Sequence, residues 1–132
     1  MKFYAVIDTN VIVSSMLKHN SNPGLIIDLV NNKTIIPLLN SEIIEEYIDV
    51  LMRNKFVDDA INNIKQNGIF LEREQTIDEF IDLDDIVFYE IVMGARNTME
   101  AFLITGNTKH YPVKKYIVTP HEMIDIINKS NN

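Results

Sequence analysis

Two patterns of apolar and polar positions alternate along the chain. Short, nearly continuous apolar runs predict buried strands at residues 2–8, 34–39, 101–105 and 116–118, since a strand covered on both faces is apolar on both. Longer segments with apolar residues at helical spacing predict helices over residues 11–18, 22–31, 41–54, 57–67 and 84–95, and from 120 onward. Residues 69–71 fit either a short strand or a connector. This alternation predicts a three-layer α/β/α fold with a mainly parallel central sheet.

Polar side chains at the expected helix starts suit the role of helix caps. Asn22 and Thr119 each precede a proline, which fits the first turn of a helix, and Ser41 precedes a turn rich in glutamate. We therefore expect these three side chains to cap the helices that follow. Pro37 has no amide proton to donate, which predicts that the second strand ends near an edge of the sheet.

Length and composition fit a single domain over residues 1–132. The chain is 46% hydrophobic and 23% charged, an ordinary balance for a globular protein. No apolar run reaches the roughly 18 residues needed to cross a bilayer, and the start turns acidic at Asp8, too soon for a signal peptide. The absence of cysteine excludes disulfide scaffolds, thiolate zinc sites and thiol nucleophiles. We therefore expect a cytoplasmic protein without a membrane span.

The net charge of −7 argues against binding nucleic acid through bulk charge, because neutralising phosphates requires lysine and arginine. It is compatible with a metal-dependent phosphodiesterase, in which the metal supplies the positive charge and carboxylates hold it. It would also suit a basic protein partner.

Polar residues follow two of the predicted strands. Asp8 and Asn10 come after the first strand, and Thr105 and Asn107 come after a later one. In open parallel sheets, sites form beyond the carboxyl ends of the strands, so these residues are candidates for chemistry. A cap or turn role in the next helix explains Asp8 equally well from local sequence.

Further along the chain, carboxylates occur at positions that suit a divalent metal. Glu46 lies at the boundary of the apolar face of the helix predicted at 41–54, although a boundary glutamate whose head reaches water also fits. Asp82, Asp84 and Asp85 precede a helix that is apolar nearly all round. Aspartate is favoured at helix caps and first turns, but three in four positions exceed what capping needs. Three neighbouring carboxylates repel one another, and Mg²⁺ or Mn²⁺ would relieve that repulsion.

Basic residues near the second polar strand end are candidates for phosphate contacts. Lys109 and His110 follow Asn107, and Lys114, Lys115 and Arg96 lie nearby in sequence. A solvated surface loop explains the same residues without any function.

Taken in order, these pieces resemble the PIN-domain family and, within it, the VapC-like toxins of bacterial toxin–antitoxin systems. The segments that carry the resemblance are residues 6–11, 41–51, 82–88 and 104–112, and the likeness extends from about residue 1 to 127. The resemblance implies a parallel sheet between helices and cleavage of RNA that depends on Mg²⁺ or Mn²⁺. It also implies an RNA substrate, a possible antitoxin partner and a homodimer.

The resemblance implies a role for each matched residue. Asp8, Glu46 and Asp85 match the catalytic acids that hold a metal, which activates a water for attack on the phosphate. The supporting residues are Asn10, Asp82, Thr105 and Asn107, with Lys109 and His110 as phosphate contacts. The chain departs from the family at Asn107, where Thr-x-Asp is usual, and at His110, where many members have another aspartate.

Two rival interpretations follow from the same residues. A phosphatase of the haloacid-dehalogenase type also has an aspartate after its first strand, but it needs a second aspartate where this chain has Asn10. The other is a catalytically weak or inactive PIN-like domain that acts by binding proteins, which the neutral Asn107 makes a live alternative.

Overall fold

The strands and helices alternate as the sequence pattern predicts. The computed structural model describes residues 1–56, 59–76 and 83–130. Five strands are β1 (Phe3–Ile7), β2 (Ile35–Leu39), β3 (Ile69–Phe70), β4 (Ala101–Ile104) and β5 (Ile117–Val118). The helices in these ranges are α1 (Thr9–Leu17), α2 (Asn22–Asn31), α3 (Ser41–Arg53), α4 (Asp59–Asn67), α5 (Ile86–Ala95) and α6 (Pro120–Ser130). Short 3₁₀ turns cover Leu83–Asp85 and Thr108–His110.

All strand pairs in the sheet are parallel, with the strand order β3-β2-β1-β4-β5. The central strand β1 pairs with β2 on one side and with β4 on the other, where Ile7 lies opposite Ile104. Since parallel strands end at the same edge, Asp8 after β1 and Thr105 after β4 are neighbours. The predicted three-layer fold with a parallel sheet is confirmed.

The sheet and α5 form the centre of the core. Every residue of β2 and β4 is buried, and α5 is apolar almost all round, as expected of a helix covered by its neighbours. The buried phenol of Tyr47 donates a hydrogen bond of 2.5 Å to the carbonyl of Ile7 and packs near Phe88, with ring centroids 6.2 Å apart. Tyr47 thereby fixes α3 against the end of β1, where the candidate site begins.

Two of the three predicted helix caps are wrong by one residue. The side chain of Ser21, not Asn22, accepts a hydrogen bond from the amide of Gly24, and α2 begins at Asn22. Asn40, not Ser41, caps α3 by accepting from the amide of Ile43 at 2.8 Å. In both helices the cap is the residue whose side-chain oxygen accepts from the amide three positions later. The path by which the chain enters the helix decides which residue that is.

The other sequence expectations fare differently. Thr119 caps α6 as predicted, since its hydroxyl accepts from the amide of Glu122 at 3.2 Å.

Pro37 lies in an inner strand rather than near a sheet edge. The missing amide proton is tolerated there because β3 pairs only with Leu38 and Leu39. Residues 57–58 of the helix predicted at 57–67 lie outside the described residues. Among the described helices, none is long and apolar enough to cross a membrane.

Candidate functional site

Asp8 is a buried carboxylate at the carboxyl edge of the sheet. It is only 6% exposed, and its amide donates to the carbonyl of Ile104, which continues the β1–β4 ladder by one residue. Oδ2 of Asp8 accepts two hydrogen bonds, from Oγ1 of Thr105 at 2.9 Å and from the phenol of Tyr111 at 2.8 Å. Hydroxyls from one loop therefore hold one side of this carboxylate.

Burial controls the acidity of this cluster. It raises the pKa of Asp8, because removal from water disfavours the charged form, while the hydroxyls of Tyr111 and Thr105 and the nearby amides of Asn10 and Thr9 act in the opposite direction. Burial and the negative charge of Asp8 also raise the pKa of Tyr111. The phenol therefore stays protonated and remains a hydrogen-bond donor.

We expect Tyr111→Phe to raise the pKa of Asp8 further, because it removes a hydrogen bond that favours the ionised carboxylate. The loss should also lower the free energy of unfolding by roughly 1.5–3 kcal/mol at neutral pH, the range for a hydrogen bond to a charged group. A carboxyl NMR titration and urea unfolding measure the two effects. Tyr116→Phe is the matched control, since that phenol contacts Met93 instead. An unchanged pKa of Asp8 would contradict the role given to Tyr111.

The loop after β4 is pinned to the start of α1. Oδ1 of Asn10 accepts from the amide of Gly106 at 2.9 Å, and its amide nitrogen lies 3.5 Å from Oγ1 of Thr105. The amide of Asn107 donates to the same hydroxyl oxygen at 3.0 Å. A side chain at Gly106 would place its Cβ 3.3 Å from Oδ1 of Asn10, tighter than most contacts. Asn10 and Thr105 thus act as a support for this loop.

The same loop reaches the second acid. Nδ1 of His110 lies 3.3 Å from Oδ2 of Asp85, and the side-chain nitrogen of Asn107 lies 2.9 Å from Nε2 of His110. Thr105 and Tyr111 contact Asp8, while His110, held by Asn107, contacts Asp85. The loop therefore links the two predicted acids through four of its side chains.

Glu46 lies on the other side of the start of α5. Its side chain is half-buried and lines a cavity of about 580 Å³ between α3 and the first residues of α5. The cavity is lined by Glu42, Glu45, Glu46, Ile48, Asp49, Arg73, Asp84 and Val87. Glu46 thus faces a strongly acidic space shared with Asp84, whereas Asp8 and Asp85 are joined by the loop after β4.

Arg73 balances part of this charge. Its Nε and Nη2 donate to Oε1 of the buried Glu90 at 2.8 and 2.5 Å, and Nη1 donates to Oε2 of Glu42 at 2.5 Å. The other oxygen of Glu90 accepts from the amide of Thr76. One guanidinium therefore connects α3, which carries Glu46, with α5, which begins beside Asp85.

The donor atoms at this edge of the sheet are of the chemical type that divalent metals bind. Asp8, Asp85 and Glu46 offer carboxylate oxygens, the ligands that Mg²⁺ and Mn²⁺ prefer. Burial of Asp8 disfavours its charge, which a cation would relieve. Within residues 1–56, 59–76 and 83–130, no three Asp, Glu or His side chains lie close enough together to hold one ion. The donor atoms are therefore of the chemical type that Mg²⁺ and Mn²⁺ bind. The described side chains, however, do not lie close enough together to form a complete set of ligands for one ion.

The remaining sequence candidates lie in different places. Asp82 lies outside the described residues. Lys109 is exposed on the 3₁₀ turn between Asn107 and His110. Arg96 lies at the opposite end of the sheet, where it donates to the carbonyl of Ala101 at the start of β4 and its guanidinium carbon lies 4.1 Å from the ring centre of Tyr116. Arg96 is therefore no phosphate contact near Asp8.

Sequence reasoning gave no role to Tyr111, Arg73 or Glu90. Glu90 carried a usable signal, since a single acid inside a helix that is apolar on all sides needs a cation or donor partner. Nothing in the sequence identifies Arg73 as that partner, or Tyr111 as the donor to Asp8, because both contacts are made across the fold.

Two comparisons with known proteins bear on this arrangement. Residues 4–109 match the sequence model of the PIN domain, a range that extends from within β1 through β4 to Lys109. No curated protein matches the chain.

Proposed function

Because the chain belongs to the PIN-domain family, we propose that it is a divalent-metal-dependent endoribonuclease that hydrolyses RNA phosphodiester bonds. PIN domains are generally nucleases. The observation that carries the proposal is the buried Asp8 carboxylate at the carboxyl edge of the sheet, held by two hydroxyls of the loop that also reaches Asp85. Helix capping does not account for this arrangement, since the two hydroxyls that donate to Asp8 come from the loop after β4 and not from α1.

In this proposal Asp8, Glu46 and Asp85 hold Mg²⁺ or Mn²⁺, with Asp82 as a neighbouring acid. When bound, such an ion lowers the pKa of a coordinated water and neutralises charge on the phosphate. Thr105 and the phenol of Tyr111 hold Oδ2 of Asp8 and so limit the orientation of its carboxylate.

The loop residues would orient the substrate as well as the acids. Asn10 and Thr105 fix the backbone at Gly106 and Asn107, which keeps the loop close to Asp8. Lys109 is exposed beside these residues and is the proposed contact for an RNA phosphate. His110 faces Asp85, so its proposed part is to position that acid, and a phosphate contact is the weaker proposal.

We expect wild-type protein to cut labelled single-stranded RNA with Mn²⁺ or Mg²⁺ and to lose this activity in EDTA. Glu46→Gln should reduce the rate by roughly 100-fold, at least as much as losing a residue that merely orients a ligand. Glu100→Gln is the matched control, because Glu100 is an exposed carboxylate outside the acidic cavity and the rate of this variant should stay within about twofold. Equal losses of cleavage rate in both variants would indicate that removing any negative charge lowers the activity, and would contradict the role of Glu46 as a metal ligand.

The neutral Asn107 favours a second candidate, a catalytically weak or inactive PIN-like domain that acts by binding a protein. In this alternative the site binds metal without cutting RNA. Metal binding by a folded wild-type protein that cleaves none of a broad panel of RNAs would support it.

The biological role we propose is that of the toxin in a type II toxin–antitoxin pair, in the cytoplasm and as a homodimer. The acidity of the cavity that contains Glu46 is compatible with a partner that presents basic side chains. Growth arrest on expression, relieved by a protein encoded beside this chain, would support this role. Expression without any effect on growth would count against it.

A further inference from the structure

Arg73 is a cation inside an otherwise acidic cavity. Its side chain is 34% exposed and lines the cavity of about 580 Å³ that contains Glu46. The other charged side chains among the described lining residues are all carboxylates, namely Glu42, Glu45, Glu46, Asp49 and Asp84. An anionic ligand that enters this cavity is therefore attracted to Arg73 and repelled by its surroundings, so Arg73 fixes where such a ligand binds.

The guanidinium of Arg73 has more hydrogen-bond donors than its two protein partners use. A guanidinium carries five N–H groups. In the described part of the chain three of them donate, two to Oε1 of Glu90 and one to Oε2 of Glu42. Two N–H groups therefore remain for an acceptor from outside the protein. Because arginine presents its donors in a rigid plane, it suits the oxygens of a phosphate.

The two partners hold Arg73 with different strength. Glu90 is buried, with a side chain only 6% exposed, and it accepts two N–H groups, so it fixes the orientation of the guanidinium. Glu42 is 51% exposed and accepts one. An exposed ion pair contributes little to stability, because water screens it. A phosphate can therefore replace Glu42 at Nη1 while Glu90 keeps the guanidinium in place.

Arg73 also lies at the edge of the sheet where the proposed chemistry takes place. It follows the strand β3 by three residues, and the carboxyl ends of the parallel strands lie at one edge. The strand order β3-β2-β1-β4 sets Arg73 on one side of Asp8 and the loop with Lys109 on the other. A nucleic-acid strand that runs along this edge past Asp8 would meet a cation on each side.

Resting on the nuclease proposed above, we infer that Arg73 binds a backbone phosphate of single-stranded RNA in the cavity beside Glu46, and that Glu42 competes with this phosphate for the guanidinium. Binding exchanges the ion pair with Glu42 for one with the phosphate, while the contact with Glu90 persists. Because the contact is to phosphate, it holds the strand in register without reading its bases.

Glu42→Gln and Glu45→Gln test the competition. Both variants remove one carboxylate from the same cavity, and of the two residues Glu42 is the one that contacts Arg73. The assay is the fluorescence anisotropy of labelled single-stranded RNA at fixed Mg²⁺, with all proteins in the Asp8→Asn background so that the RNA stays intact. We expect Glu42→Gln to lower Kd by about 2- to 5-fold, the strength of an exposed ion pair, and Glu45→Gln by less than about 1.5-fold.

Arg73→Met/Glu90→Gln tests the phosphate contact itself. It removes the cation without leaving a buried charge, and it leaves the net charge unchanged. In the same assay Kd should rise about 10-fold, and the slope of log Kd against log salt should become shallower by roughly 0.7, the value for one phosphate contact on a single strand. The matched control is Lys2→Met/Glu100→Gln, which removes an exposed pair of opposite charges at the amino end of the sheet and should keep the slope of the parent.

Several results would overturn the inference. One is an unchanged Kd in Glu42→Gln, and another is equal tightening in Glu42→Gln and Glu45→Gln. A salt slope in Arg73→Met/Glu90→Gln equal to that of the control would do so as well. If this double variant does not fold, the comparison of Glu42→Gln with Glu45→Gln decides. Any of these results beside a wild type that cuts RNA refutes only the role of Arg73, whereas a wild type that neither binds nor cuts RNA refutes the proposed nuclease itself.

Discussion

Asp8→Asn should reduce RNA cleavage by about 100-fold or more while making the protein more stable. The activity falls because the variant loses a proposed metal ligand, and changes to residues that only orient ligands already cost about 10- to 100-fold. The stability rises because burial disfavours the charged form of the Asp8 carboxylate, whereas the amide is neutral at every pH. Its oxygen can still accept from Thr105 and Tyr111. A gain of about 1 kcal/mol would raise the melting temperature by roughly 3–5 °C.

The stability gain of Asp8→Asn should depend on pH in a defined direction. Burial raises the pKa of Asp8 above its ordinary value of 3.8, so ionisation of this group opposes folding. The wild type regains the lost stability as the pH falls through the raised pKa, and the two proteins should become equally stable below the ordinary value. Thermal unfolding of both proteins between pH 4 and pH 8 measures how far their stabilities converge as the pH falls. A difference that grows towards acid pH, or a variant that keeps full activity, would contradict the assignment of Asp8.

Arg73→Met should produce the largest loss of stability among these variants, about 3 kcal/mol. The substitution leaves the carboxylate of Glu90 buried without its cation, and breaking a buried pair in this way typically costs about 3–5 kcal/mol. We expect the lower end because the side chain of Arg73 is 34% exposed, against 6% for Glu90. In a domain of this size the melting temperature should fall by roughly 10 °C. Urea unfolding gives the free energy directly.

Two variants separate this effect from a general loss of arginine. Arg53→Met breaks an exposed pair with Asp49, whose side chains are 66% and 69% exposed, and should cost less than about 0.5 kcal/mol. Arg73→Met/Glu90→Gln removes both charges and should recover much of the lost stability, since the glutamine oxygen can still accept from Thr76. A double variant as unstable as Arg73→Met alone would show that the buried charge is not the cause.

The stability carried by Arg73 also bears on the site. Its guanidinium connects Glu42, one turn before Glu46 on α3, with Glu90, which lies in the middle of α5, five residues after Asp85. The helices that present the second and third proposed acids therefore depend on the same buried pair.

Much of this protein followed from the sequence because local physics specifies it. Apolar runs of three to five residues between helical segments predict a covered parallel sheet. Parallel strands end at the same edge, which brings Asp8 and Thr105 together there. The family follows from the order of the motifs, and the match over residues 4–109 confirms it. Two of the three capping residues were missed by one position, since neighbouring residues of suitable type compete and the path of the chain into each helix selects Asn40 and Ser21.

Only the tertiary structure decided which side chains meet. Tyr111 and Asp8 are 103 positions apart in the sequence, and Thr105 and Asp8 are 97 apart. The periodicity of apolar residues does not predict contacts over such separations. The pairing of Arg73 with Glu90, and of His110 with both Asn107 and Asp85, depends on how a loop folds back over a helix. The sequence by itself determined the sheet, the family and the position of Asp8 at the edge of the sheet, because these rest on local pattern. The fold decided the partners of those acids, because hydrogen bonds and burial between distant segments exist only after packing.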